Sequence, residues 1–142
     1  MKLSTKAIAL AALAGFSAPT LGQSLEPGEW EFNAITSSPL FPKGQSKVFK
    51  HCVTAEDAAN PERWMARHNE KADCKLTPGE KTRSSIRWEM TCAKSNIRGN
   101  GIARITGPGT VESDMDMTGE FQGQRFSMST RTTGRRLGPC KT

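Results

Sequence analysis

Between Thr82 and Thr133 apolar and polar residues alternate with a period of two, and a single choice of turns satisfies every face at once. Ile86, Trp88, Met90 and Cys92 share one face, with Arg87, Glu89 and Thr91 on the other. A tight turn at Lys94-Ser95 sets Cys92 opposite Ile97, Met90 opposite Gly99 and Trp88 opposite Gly101. A second turn at Gly107-Pro108-Gly109 sets Ile105 opposite Val111 and Gly101 opposite Met115. Gln122-Gly123 is a two-residue hairpin turn, with glycine free to take positive φ. It pairs Met117 with Met128 and Gly119 with Phe126 inside, and places Glu120 opposite Arg125 and Asp114 opposite Arg131 outside. A slip of one residue would invert every face, so this agreement predicts the register of a four-stranded antiparallel meander.

Two N-terminal strands extend the sheet. Trp30 and Phe32 share a face after the turn signal Pro27-Gly28, Ser37 to Gly44 reads as a loop with Pro39 and Pro42, and Lys47 to Val53 reads as a strand. Thr54-Ala55-Glu56-Asp57 has the form of a helix cap with carboxylates in the first turn. Pro61 allows that helix to be only short or broken, with Trp64 and Met65 covering one edge of the core. The expected fold is mainly β: an antiparallel meander of about six strands, curved or partly closed into a barrel, with one short helical segment. Gly99, Gly101 and Gly119 thin its inner face, as glycines do where a sheet curves or another group approaches.

The first 22 residues read as an address. Lys2 and Lys6 form a basic start, Ala7 to Phe16 is apolar but half the length of a membrane span, and Pro19, Thr20 and Gly22 supply a break and small residues. Cleavage after Gly22 is expected, giving an exported domain over residues 23–142 with no transmembrane segment. The formal charge of +6 falls to +4 when Lys2 and Lys6 leave with the leader. That excess is spread along the chain without interleaved exposed aromatics, which argues against nucleic acid as a partner.

All four cysteines follow the leader, and an even number in a small exported chain reads as two disulfides with three open connectivities. Cys74 and Cys92 bracket one local loop, and Cys92 points inward at a strand end; Cys52 precedes the helix and Cys140 closes the chain. The expected pairs are therefore Cys74 with Cys92 and Cys52 with Cys140. No C-x-x-C or H-x-x-x-H spacing suggests zinc or redox chemistry.

No motif points to catalysis, a metal or a cofactor. Glu112, Asp114 and Asp116 lie on one strand face, a pattern open to acid–base work but better read as a solvated face paired with Arg125 and Arg131. His51 adjoins Cys52 and His68 precedes Cys74, yet a Cys–His nucleophile needs a free thiol that two disulfides would remove. Trp88, Met90, Gly101, Met115, Met117, Phe126 and Met128 form a soft inner surface, a candidate face for an apolar ligand that serves equally well as ordinary core. Arg135 and Arg136 would suit a carboxylate or phosphate, or lie across the surface while a Gly/Pro turn returns Cys140 to the domain.

Leu25-Glu26-Pro27-Gly28-Glu29-Trp30, Cys52-Val53-Thr54, Trp88 with Cys92, Met115 with Met117, and the closing Gly134-Arg135-Arg136-Leu137-Gly138-Pro139-Cys140 together resemble the bacterial domain-of-unknown-function family numbered 3617. The likeness spans nearly all of the chain after the leader and departs between Thr36 and Gly44, where a Met/Pro-rich stretch would be expected. It implies a proteobacterial periplasmic protein and no particular activity. The functional expectation is a non-catalytic binding or accessory domain for an apolar small molecule or an envelope-derived ligand. The alternative is an interaction domain that docks an envelope protein through a sheet edge or its arginine-rich C-terminus.

Overall fold

The computed structural model describes residues 24–69 and 73–141, so the leader reading and its cut after Gly22 lie outside the described residues. Seven strands and two helices follow one another as β1 (Gly28–Ser38), β2 (Phe41–Val53), α1 (Ala55–Ala59), α2 (Pro61–Asn69), β3 (Cys74–Lys81), β4 (Ser85–Cys92), β5 (Ile97–Gly107), β6 (Thr110–Phe121) and β7 (Gln124–Gly138). All seven strands form one antiparallel sheet in the order β2-β1-β7-β6-β5-β4-β3. The predicted meander register is reproduced pair by pair: Trp88 opposite Gly101, Gly101 opposite Met115, Met117 opposite Met128, and Asp114 opposite Arg131. Gln122 and Gly123 both take positive φ, 52° and 76°, as a two-residue turn between twisted strands requires.

Four expectations are corrected. The sheet has seven strands rather than about six, because β3 carries Pro78 and Gly79 and shows little apolar alternation. Those residues are tolerated because β3 is an edge strand. The sheet is also open rather than closed into a barrel. The two edge strands, β2 and β3, are linked by the helix pair, which lies over the inner face where closure would have brought them together. Ser37 to Gly44 is not a loop. β1 and β2 run through it as a hairpin with Ser38 paired to Phe41, and Pro42 is accommodated because β2 is the other edge. The single helical segment becomes two, α1 ending at Asn60 and α2 starting on Pro61, where a missing amide costs nothing.

β1 ties the N-terminal hairpin to the meander by pairing with β7. At this seam the opening and closing motifs interlock. Gly134 lies opposite Phe32, and a Cβ there would press on the Phe32 ring and Val111. Gly28 and Gly138 both hold φ near +150°, and a Cβ on Gly28 would run into the Gly138 carbonyl. Arg135 donates to Glu31 at 2.8 Å, and Arg136 donates to the Pro27 carbonyl at 2.8 Å. The arginine pair thus lies across the surface, but on a continuing strand rather than a turn. Trp30 and Val53 are fully buried beside Phe32, the Trp30 indole donating to the Glu26 carbonyl.

Cys52 bonds to Cys140 and Cys74 to Cys92, as expected. The first bond joins the end of β2 to the tail beyond β7; the second joins facing residues of β3 and β4 at the opposite end of the sheet. The bonds span 88 and 18 residues. Loop-closure entropy then makes replacing Cys52 and Cys140 by Ala cost about 1.4 kcal/mol more than replacing Cys74 and Cys92. Urea unfolding of the two double variants, followed by tryptophan fluorescence, should show that order.

Candidate functional site

The helix pair is held over the sheet by a few polar contacts. Thr54 caps α1 by accepting from the Asp57 amide at 3.1 Å, while the Asp57 carboxylate accepts from the Thr54 amide at 3.3 Å. Asp57 is buried, and its other oxygen accepts from Arg67 of α2, so a single carboxylate orders both helices. Burial pushes the Asp57 carboxyl upward, but the hydrogen bonds from Thr54 and the charge of Arg67 outweigh it and hold the group below its usual value. On the sheet side of α2, the Trp64 indole donates to His51 Nε2 at 3.0 Å and its ring lies 6.2 Å from Phe32. On the far side Lys81 of β3 meets Glu62 at 3.4 Å. The helix therefore bridges from β1 and β2 across to β3.

Beneath that bridge runs a cleft of about 580 Å³. Its walls are Phe32, Phe49, Trp64, Met65, Ile86, Trp88, Ile105 and Val111. Its floor has a simple origin in the sequence. Ala103, Ser113 and Thr132 face the cleft from adjacent positions on three neighbouring strands, Ala103 opposite Ser113 and Ser113 opposite Thr132. Small side chains in one cross-strand row leave the space that large neighbours surround. Lys81 and Arg83 stand among the polar residues of its lining. The volume is that of a small-molecule site, and the lining is mostly apolar with few polar groups, as such sites usually are.

Of the candidate face read from the sequence, Trp88 alone lines this cleft. Met90 is buried beside it in β4. Met115, Met117, Phe126 and Met128 are half-buried on the same face of the sheet, nearer the end that carries the β6–β7 turn. The inner side of Gly101 is taken by the Trp88 ring, with which a Cβ would overlap. Met117 covers Gly99, and Phe126 with Ile97 covers Gly119. The glycine-thinned wall is thus filled by neighbouring side chains. Sequence reasoning passed over Phe49 and the row of small residues, whose signal is the coincidence of Ala103, Ser113 and Thr132 in the register already derived.

The remaining candidates are structural. Asp114 accepts from Arg131 at 2.8 Å and Arg104 at 3.2 Å, and Asp116 accepts from Ser129 at 2.6 Å. The Arg131 hydrogen bond, against a smaller upward push from burial, helps to hold the Asp114 carboxyl below its usual range. Glu112 lies on the same outward face of β6, where its charge adds to the hold on Arg131. No cluster of three His, Cys, Asp or Glu residues fit to hold a metal occurs among the described residues. The side chain of His68 lies outside them.

Two outcomes follow from this packing. Gly101→Leu drives a side chain into the Trp88 ring and should cost at least about 1–3 kcal/mol in urea unfolding. Asp57 titrates at a lower pH when folded than its ordinary value of 3.8, so its contribution to stability is present above that value and is lost as pH falls through the folded one. Asp57→Asn should therefore lower stability at pH 7 by on the order of 1 kcal/mol and flatten the acid limb of the stability curve below about pH 4.

The family model described as "Protein of unknown function (DUF3617)" matches residues 25–140. A search of the curated proteins finds no match. The family match begins and ends on the two motifs that interlock at the β1–β7 seam, Leu25 to Trp30 and Gly134 to Cys140. By that match over almost the whole described chain, the protein belongs to the DUF3617 family.

Proposed function

We propose that the protein is a periplasmic, non-catalytic binding domain that holds an amphiphile of lipid type in the cleft between α2 and the sheet. The observation that carries this reading is the cleft itself: about 580 Å³ bounded by aromatic and aliphatic side chains and floored by small ones. A packed core would put branched side chains in the row occupied by Ala103, Ser113 and Thr132. An acyl chain or similar apolar body suits that hollow. Arg83, with Lys81 beside its partner Glu62, supplies cationic groups for an anionic end. The basic start and short apolar run before Pro19 support the periplasmic assignment.

A second reading, docking of another protein, draws on one feature. β2 is a 13-residue edge strand with Val48 61% exposed, a form open to strand addition. The arginine-rich C-terminus supports it less, since Arg135 and Arg136 are engaged with Glu31 and Pro27.

Filling the cleft separates these readings. Ser113→Phe places a ring in the hollow, so uptake of a fluorescent fatty-acid analogue should fall at least tenfold while the melting temperature stays within a few degrees of wild type. Wild-type protein that takes up no such analogue, or a Ser113→Phe variant that binds it as well, removes the ligand reading and leaves the edge strand as the better candidate.

A further inference from the structure

The two most exposed large apolar side chains among the described residues are Leu40, 77% exposed, and Phe121, 69% exposed. They stand far apart in sequence but at the same end of the sheet. Leu40 is in the turn between β1 and β2, and Phe121 adjoins the Gln122-Gly123 turn between β6 and β7. Because β1 and β7 are antiparallel neighbours, with Ser37 opposite Ser129, both turns lie at the same end of the sheet and on adjoining hairpins. Phe41, 46% exposed, follows Leu40 at the same turn. Nothing in the domain's own packing accounts for two large apolar side chains in solvent at one end.

The charge at this end has one dominant sign. Beyond the cross-strand row Glu89–Asn100–Asp116–Ser129, the described residues place Lys43, Lys75, Lys94, Arg98 and Arg125 against Asp73 and Glu120. Apolar tips within a cationic surround are the composition of a surface that enters the headgroup region of an anionic bilayer. A second copy of the chain would set this cationic end against itself, which disfavours self-association here.

We propose that this end of the sheet docks on an anionic lipid surface, Leu40 and Phe121 entering the interface and the surrounding lysines and arginines meeting the headgroups. The inference goes beyond the cleft and does not depend on what the cleft holds.

Co-sedimentation with vesicles of phosphatidylethanolamine and phosphatidylglycerol tests it, with phosphatidylcholine vesicles as the neutral comparison. Wild-type protein should bind the anionic vesicles, release as salt rises, and bind neutral ones weakly. Removing an inserted Leu or Phe should weaken partition roughly tenfold or more per side chain. Leu40→Ser with Phe121→Ser should therefore abolish sedimentation, and the high exposure of both positions should leave the melting temperature unchanged. Ser113→Phe, which alters the cleft alone, should sediment like wild type, so failure of the cleft reading and failure of the docking reading are told apart. Absence of wild-type binding, equal binding to neutral vesicles, undiminished binding by the Leu40→Ser/Phe121→Ser variant, or its conversion from a dimer to a monomer would each overturn the proposal.

Discussion

The pairing of β1 with β7 is the constraint on which the rest of the molecule depends. It joins residues 104 positions apart, Glu31 and Arg135, and without it the N-terminal hairpin and the meander would be separate pieces with bare edges. The seam is narrow because glycine lines it. Phe32 reaches across β7 over Gly134, and the Gly28 backbone approaches the Gly138 carbonyl more closely than any side chain would permit. Trp30 and Phe32 are buried as a result, and Cys52 and Cys140 are brought within bonding distance. The residues that mark the family at either end of the match are therefore first of all a device for closing this joint.

From that joint the cleft follows almost without further instruction. Val53 at the end of β2 is buried in the same cluster as Trp30, so the chain leaves the sheet at a fixed point and direction. Thr54 and Asp57 then start a helix, Pro61 redirects it, and Trp64 returns to the sheet against Phe32 and His51. A five-residue helix has little intrinsic stability, so these contacts rather than helix propensity keep it in place. The carboxylate of Asp57 is central, since it serves the cap and the second helix together.

Much of this was legible in the sequence where residues constrain one another. The meander from Ile86 to Arg131 was readable because the faces had to agree across three turns at once. The disulfides were readable because Cys74 and Cys92 bracket one local loop with Cys92 pointing inward at a strand end, which leaves Cys52 and Cys140 for each other. β3 was missed because Pro78 and Gly79 remove the alternation that marks a strand, and an edge position forgives both. Whether the sheet would only curve or also close towards a barrel was not readable, because alternation fixes which residues face inward but not whether the last strand finds the first. The position of the cleft was not readable for a related reason. Glycines at 99, 101 and 119 suggested space, yet Met117, Trp88 and Phe126 lean over them. The actual space lies over Ala103, Ser113 and Thr132, where side chains are small but present. Emptiness in a sheet depends on what the neighbours do, which one strand at a time does not reveal.

The position of β7 between β1 and β6 carries a consequence for the order of assembly. The last strand in the chain is an interior one, so β1 waits for it with one side unpaired while five other strands and both helices are made. Pairings between such distant segments form slowly because a long loop must be closed before the contact rewards it. During that interval the aromatic face of Trp30, Phe32 and Phe49 lacks its β7 neighbour, the state in which strand proteins most readily associate wrongly. Folding of this domain is thus a race between strand insertion and aggregation, and the Cys52–Cys140 bond acts as the latch that ends it.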